Sequence, residues 1–132
     1  MSFELAAIAY TALILFLILG IQGGLVPLNQ GLSWGLGSRD AKKDASALQG
    51  RASRTVANHI EGMMVFVPLA LVVELMQLSS TLTLWGAGLY VAGRAAFAPL
   101  YLLGVPYLRS VAWGVAALGT ILVAVPVIAA LL

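Results

Sequence analysis

The chain contains no cysteine and only one histidine, His59. Without cysteine there is no disulfide, no thiolate metal site and no cysteine nucleophile. A single imidazole cannot build a site by itself, so the usual histidine-rich metal clusters are excluded as well. Charge is scarce: Asp, Glu, Lys and Arg make up 9% of the 132 residues, whereas a soluble domain carries about 25%. The net charge of +2 is too small for a nucleic-acid footprint, which excludes that class of partner. No phosphate-cradling glycine motif, Walker lysine or Ser-His-Asp order is present either. What fills the chain is apolar. Hydrophobic residues account for 61% of it and the mean hydropathy is +1.02. Too little polar surface remains to face water, so the chain is an integral membrane protein whose surroundings are membrane lipids.

Four apolar stretches divide the chain into helices at about residues 3–28, 45–78, 82–103 and 107–132, within a single domain, 1–132. The fold class that follows is all-α, a four-transmembrane-helix bundle. At about 1.5 Å per residue, Phe3 to Leu28 spans a hydrocarbon core of roughly 30 Å. No Lys or Arg precedes Arg39 and the run outlasts a signal-peptide core, so the stretch reads as a retained helix. From Pro27 to Ser46 the sequence reads as a loop touching headgroups. Gly31, Gly35 and Gly37 loosen it, Arg39, Asp40, Lys42, Lys43 and Asp44 charge it, and Trp34 suits an interface. Pro68 and Pro99 predict kinks in the second and third helices, and Glu74 reads as an interfacial carboxylate snorkelling outward. Gly88, Ala92 and Ala96 recur every four residues, a small-residue seam for close helix approach. Lys and Arg gather near the first and third connections, which places those loops in the cytoplasm and both termini on the opposite side.

The costly residues lie in register. Arg51, Arg54, Asn58 and Glu61 are spaced three, four and three apart, within an arc of about 80° on one helical face. Arg94 sits mid-span in the third helix, and an intramembrane arginine needs a partner. Glu61 is the only carboxylate at similar depth, so a Glu61–Arg94 pair that fixes helix register is expected. Arg51, Arg54, Asn58 and Arg109 fall at the cytoplasmic mouth. An acidic guest would neutralise their guanidiniums, either a multi-carboxylate peptide or a phosphate headgroup; simple anchoring to anionic lipid is the competing reading. Taken together, Arg54, Arg94 and Arg109, from three different spans, are expected to meet in one pocket. Tyr101 reads equally as a ligand donor or an interface tyrosine. His59, off the stripe, reads as a hydrogen-bonded interhelix residue rather than a base.

Arg54-x3-Asn58-x2-Glu61 followed by Pro68 resembles the second-helix signature of the membrane-associated proteins in eicosanoid and glutathione metabolism, the MAPEG family. Gly93-Arg94, Tyr101 and Pro106-x2-Arg109-Ser110 resemble that family's end of helix three and start of helix four. The resemblance covers nearly the whole chain. It implies a homotrimer of four-helix protomers with glutathione held between subunits near the cytoplasmic face. It implies that Arg54, Asn58, Glu61, Tyr101 and Arg109 contact glutathione, with Arg51 and Arg94 as further candidate contacts. Arg109 would stabilise the thiolate, the nucleophilic form, and Ser110 would lie near the sulfur. Three positions depart from the family pattern: no basic residue ends helix one, Phe97 stands where some members have histidine, and Trp113 where some have tyrosine.

Two functions follow from this. One is a glutathione-dependent transferase or peroxidase acting on lipophilic electrophiles that enter from the bilayer. The other, motivated by those departures, is a non-catalytic membrane module, such as an accessory subunit of a larger membrane complex or a lipid-binding trimer.

Overall fold

The computed structural model describes all residues, Met1–Leu132. Four long helices and one short one make up the chain: α1 (Phe3–Gln30), α2 (Leu32–Leu36), α3 (Ala47–Leu75), α4 (Thr81–Leu102) and α5 (Leu108–Leu131). Three of them, α1, α3 and α5, are long and apolar enough to cross a membrane. With its largely apolar exterior this makes the chain an integral membrane protein. Phe16, Leu17 and Trp85 are each more than 60% exposed, as side chains that face lipid must be.

Local chemistry sets the helix ends. Ser46 and Gln49 form a capping box at the start of α3, and Ser80 and Thr83 form another at the start of α4. Each box satisfies backbone donors that a helix N-terminus leaves free. Both helices close in the same way. Leu78 N bonds Val73 O and Gln77 N bonds Glu74 O after α3, while Val105 N bonds Leu100 O and Gly104 N bonds Tyr101 O after α4. These are Schellman closures, with Gln77 (φ 55°) and Gly104 (φ 74°) at the left-handed position. Pro68 and Pro99 lie inside their helices.

The connection after α1 differs from the expected loop. Helix α1 runs on through Pro27 to Gln30, and Gly31 (φ 92°) reverses the chain into α2. Gly35 then fits closely against Val26, where a side chain would crowd it.

Helix α4 packs most closely on α5, and α1 on α3. Within the chain, the close approach of small residues lies on another face of α4 than the one bearing Ala92 and Ala96. A Cβ on Gly93 would lie 2.6 Å from Ala116 N, and one on Gly119 would lie 2.5 Å from Tyr90 N. Gly86 and Gly93 thus face Ala112, Ala116 and Gly119 across α4–α5. Ala92 and Ala96 point outward. The main core gathers Ala7, Phe66, Ala70, Val73, Ala87, Tyr90, Ala116 and Val123, with Phe66 and Tyr90 stacked at 3.7 Å between ring centres.

Polar residues tie α1 into this bundle. His59 is fully buried, and its Nε2 lies 3.0 Å from Thr11 Oγ1 and 2.9 Å from the Thr11 carbonyl. A carbonyl only accepts, so Nε2 carries the proton and Nδ1 is left as a buried acceptor without a partner. His59 is therefore an interhelix residue, as its position off the stripe implied. Glu4, only 1% exposed, accepts from Ser79 Oγ at 2.8 Å and Thr83 Oγ1 at 2.5 Å. It pins the start of α1 to the α3–α4 turn, a role nothing in its sequence context signalled.

Candidate functional site

The polar stripe on α3 meets α4 rung by rung. Arg51 Nε donates to Leu102 O at 2.8 Å, Arg54 Nε to Tyr101 Oη at 3.2 Å, and Arg94 Nη1 to Asn58 Oδ1 at 2.7 Å. As the α3 number rises the α4 number falls, the register of antiparallel neighbours. Arg51 takes up a carbonyl that the last turn of α4 leaves without an intrahelical donor. That bond uses Nε, and the two terminal nitrogens of Arg51 remain to serve another acceptor.

Arg94 does not pair with Glu61. It is 4% exposed, and its one hydrogen bond goes to Asn58. The helical wheel explains this. Asn58 lies between Glu61 and Gly62 on α3, with Glu61 rotated about 60° one way and Gly62 about 40° the other. A Cβ at Gly62 would overlap the guanidinium, so Arg94 lies flat over Gly62, on the side away from Glu61, which is exposed. The rings of Tyr90 and Phe97 lie 5.6 and 5.9 Å from Arg94 Cζ, distances at which ring faces attract a cation. An amide and two aromatic faces thus replace the expected carboxylate. Gly62, four residues after Asn58, is the member of this group that sequence reasoning missed.

Aromatic contacts continue along α4. Phe97, 4% exposed, packs at 5.3 Å on Tyr101. Arg109, from α5, rests over the Tyr101 ring with Cζ 4.4 Å from its centre. Tyr101 therefore holds two arginines at once, Arg54 through its hydroxyl and Arg109 through its ring.

The expected single pocket is divided in two. A polar cavity of about 480 Å³ is lined by Arg51, Arg54, Tyr101 and Arg109, with Ser46, Gly50 and Gly104 among its walls. It holds three guanidiniums and no carboxylate. The second cavity, of about 500 Å³, has Asn58, Glu61 and Arg94 at a polar patch and Val65, Leu69, Trp113 and Ile121 in its apolar wall. Arg94 thus belongs to a different cavity from Arg54 and Arg109. Ser110 is exposed and lines neither. No group of three or more His, Cys, Asp or Glu is placed to hold a metal ion.

An arginine cluster without acidic neighbours repels itself, and an anionic guest relieves that repulsion through charge-assisted hydrogen bonds. The donor set therefore fits a ligand that brings several carboxylates or an equivalent acidic group. The adjoining cavity offers a mostly apolar wall to a lipophilic molecule. Among known proteins, the model of the MAPEG family matches residues 5–129 of the chain. No curated protein and no solved structure matches it.

Proposed function

The chain belongs to the MAPEG family, the membrane-associated proteins of eicosanoid and glutathione metabolism, and from that premise we propose that it is a glutathione-dependent membrane transferase or peroxidase acting on lipophilic electrophiles. The observation that carries the reading is the polar cavity with Arg51, Arg54 and Arg109 in its wall and no acid to neutralise them. Glutathione has two carboxylates and, when ionised, a thiolate, so it supplies one anion for each guanidinium.

Each residue has a defined task in this reading. Arg51 and Arg54 bind carboxylates, since a planar guanidinium fork matches a carboxylate edge. Tyr101 orients Arg54 and Arg109 toward the same space. Arg109 holds negative charge at the sulfur, and an adjacent cation favours the thiolate over the thiol. Bound glutathione supplies the nucleophilic sulfur, which the protein itself lacks, having no cysteine. The mixed cavity bounded by Trp113, Val65 and Ile121 receives the lipophilic partner, with Asn58, Glu61 and Arg94 at its polar patch. Ser110 reaches the reaction only if a neighbouring subunit completes the site.

The same reading takes α4 as a fourth membrane span and the assembly as a homotrimer. Exposed Ala92, Ala95 and Ala96 on α4 leave room for another helix to approach. Six of the seven basic residues lie in or beside the α1–α3 and α4–α5 connections, which supports a cytoplasmic location for those connections.

The test is the ultraviolet absorbance of glutathione thiolate on the purified protein, followed by conjugation of a chloronitrobenzene, with Arg109→Ala alongside. Thiolate absorbance and turnover that both collapse in Arg109→Ala support the enzyme. Glutathione binding without turnover points to a non-catalytic module, the reading favoured by Ser110 lying outside both cavities. Absence of binding removes the enzyme and leaves the non-catalytic module, as an accessory subunit or a lipid-binding trimer.

A further inference from the structure

Residues 31–45 fold back against the end of α1 instead of extending into water. Lys43 Nζ donates to Gln30 O at 2.7 Å, Gln30 Nε2 to Asp44 O at 2.9 Å and Trp34 Nε1 to Ala41 O at 2.7 Å. Arg39 places Nε and Nη2 on Gly35 O at 2.9 and 2.7 Å. The segment thus satisfies carbonyls from within, as a chain lying at the edge of a bilayer must.

Its outer surface is of two kinds. Leu32 and Leu36, four residues apart on α2, are 63% and 80% exposed, and Leu28 at the end of α1 is 82% exposed. Beside them the Trp34 ring has Arg39 Cζ and Lys43 Nζ each 5.8 Å from its centre. Lys42 is exposed, and Asp40 accepts from its own neighbour Ser38 at 2.6 Å. Apolar side chains, an interfacial tryptophan and a group of cations therefore occupy one short, folded element. We infer that this connection binds the headgroup of an anionic phospholipid. Leu28, Leu32 and Leu36 enter the acyl region, Trp34 sits at the boundary, and Arg39, Lys42 and Lys43 face the phosphate. Three cations against two acids favour an acidic headgroup, because a choline headgroup would bring a further cation against Arg39 and Lys42. The inference needs only the membrane location, and it stands whether or not the arginine cavity holds glutathione.

The test uses the full chain with Trp85→Phe and Trp113→Phe, which leaves Trp34 as the sole tryptophan of three. The protein is reconstituted in phosphatidylcholine vesicles containing equal fractions of either brominated phosphatidylglycerol or brominated phosphatidylcholine. Severalfold stronger quenching of Trp34 by the brominated phosphatidylglycerol is expected. Arg39 and Lys43 also hold the backbone, so the informative substitution is Lys42→Glu, which leaves those bonds intact. It should reduce the preference, and Lys42→Arg should keep it. Equal quenching by the two lipids, or a preference unchanged in Lys42→Glu, overturns the inference. Quenching by neither also overturns it, since Trp34 would then face water or a neighbouring subunit.

Discussion

Arg94 donates to Asn58 at 2.7 Å across the α3–α4 interface, and this bond is what stabilises a charge that the bundle otherwise surrounds with rings and a glycine. Arg94 Nε has no partner at all. The arginine is therefore held by one hydrogen bond, and removing that bond leaves a buried charge with only the Tyr90 and Phe97 rings beside it. Asn58→Ala should lower stability by about 2 kcal/mol, the range for a hydrogen bond to a charged group with its donor then stranded. Asn58→Asp should recover most of the loss by supplying a carboxylate at the same place. Thermal unfolding in detergent measures both, and an Asn58→Ala protein as stable as the parent would show that Arg94 finds another partner.

Gly62 tests the same interface from the backbone side. In an exposed helix, Gly→Ala stabilises by about 1 kcal/mol. At Gly62 the added methyl would overlap the Arg94 guanidinium, which is buried and can swing aside only by giving up its bond to Asn58, so the substitution should destabilise instead. Gly114, where an added methyl would meet nothing within 4 Å, is the control and should follow the ordinary helix trend. The sign difference between the two variants is the readout.

Tyr101 acts on two arginines by two separate mechanisms, and substitution can separate them. Tyr101→Phe removes the hydroxyl that Arg54 reaches at 3.2 Å and keeps the ring under Arg109 at 4.4 Å. Tyr101→Leu removes both. Each lost contact is worth about 1 kcal/mol, or roughly fivefold in affinity. Under the glutathione reading, the phenylalanine variant should bind glutathione about fivefold more weakly and the leucine variant weaker again. Equilibrium titration with glutathione distinguishes this from a loss confined to turnover, which would place Tyr101 at the reacting sulfur instead.

The polar stripe was legible because a helix repeats every 3.6 residues. Arg51, Arg54 and Asn58 do point at one neighbour, and that neighbour is α4. The partner of Arg94 was not legible. Charge complementarity selected Glu61, but the choice between Asn58 and Glu61 depends on which side of Gly62 the guanidinium lies, and that is a property of packing. The partner of the Gly88, Ala92 and Ala96 seam was not legible for a related reason. A four-residue repeat of small side chains marks a helix face, but whether that face meets a helix within the chain or outside it depends on the rest of the bundle. Ser46-x-x-Gln49 was readable as a capping box and would have placed the start of α3 at Ala47. Glu4 offered no such signal, since its partners Ser79 and Thr83 lie more than seventy residues away.

Packing of α4 on α5 depends on glycine where the backbones nearly touch. A Cβ on Gly93 would sit 2.7 Å from Ala112 O, and one on Gly119 would sit 2.5 Å from Gly86 O. Neither obstacle is a flexible side chain, so the helices themselves would have to separate. Gly93→Val and Gly119→Val should each cost more than about 2 kcal/mol, at the upper part of the overpacking range. Gly88→Ala, whose methyl would meet only Phe3 Cε1 at 3.7 Å, should be tolerated. Detergent-phase unfolding of the three variants orders them, and a Gly93→Val protein with parental stability would contradict the close approach.

Arg109 owes its position to a strained residue two places before it. Tyr107 has φ 59° and ψ −58°, and Leu108 N bonds Pro106 O at 2.6 Å, which is a γ-turn. That conformation is uncommon for any residue with a side chain and costs on the order of 1–3 kcal/mol. The Tyr107 side chain is 83% exposed, so little packing repays the cost. Glycine adopts positive φ freely, and although it adds entropy to the unfolded chain, that penalty is about 0.5–1 kcal/mol. Tyr107→Gly should therefore leave the protein as stable as the parent or up to about 2 kcal/mol more stable. Tyr107→Val, β-branched and less tolerant of positive φ, should be less stable than the parent. If the turn sets the start of α5, the glycine variant should also keep Arg109 over Tyr101 and bind glutathione with parental affinity, while the valine variant should bind it more weakly. Unfolding curves and glutathione titrations on the same two preparations decide the matter, and a Tyr107→Gly protein that unfolds earlier than the parent would show that the tyrosine ring, not the turn, is what this corner needs.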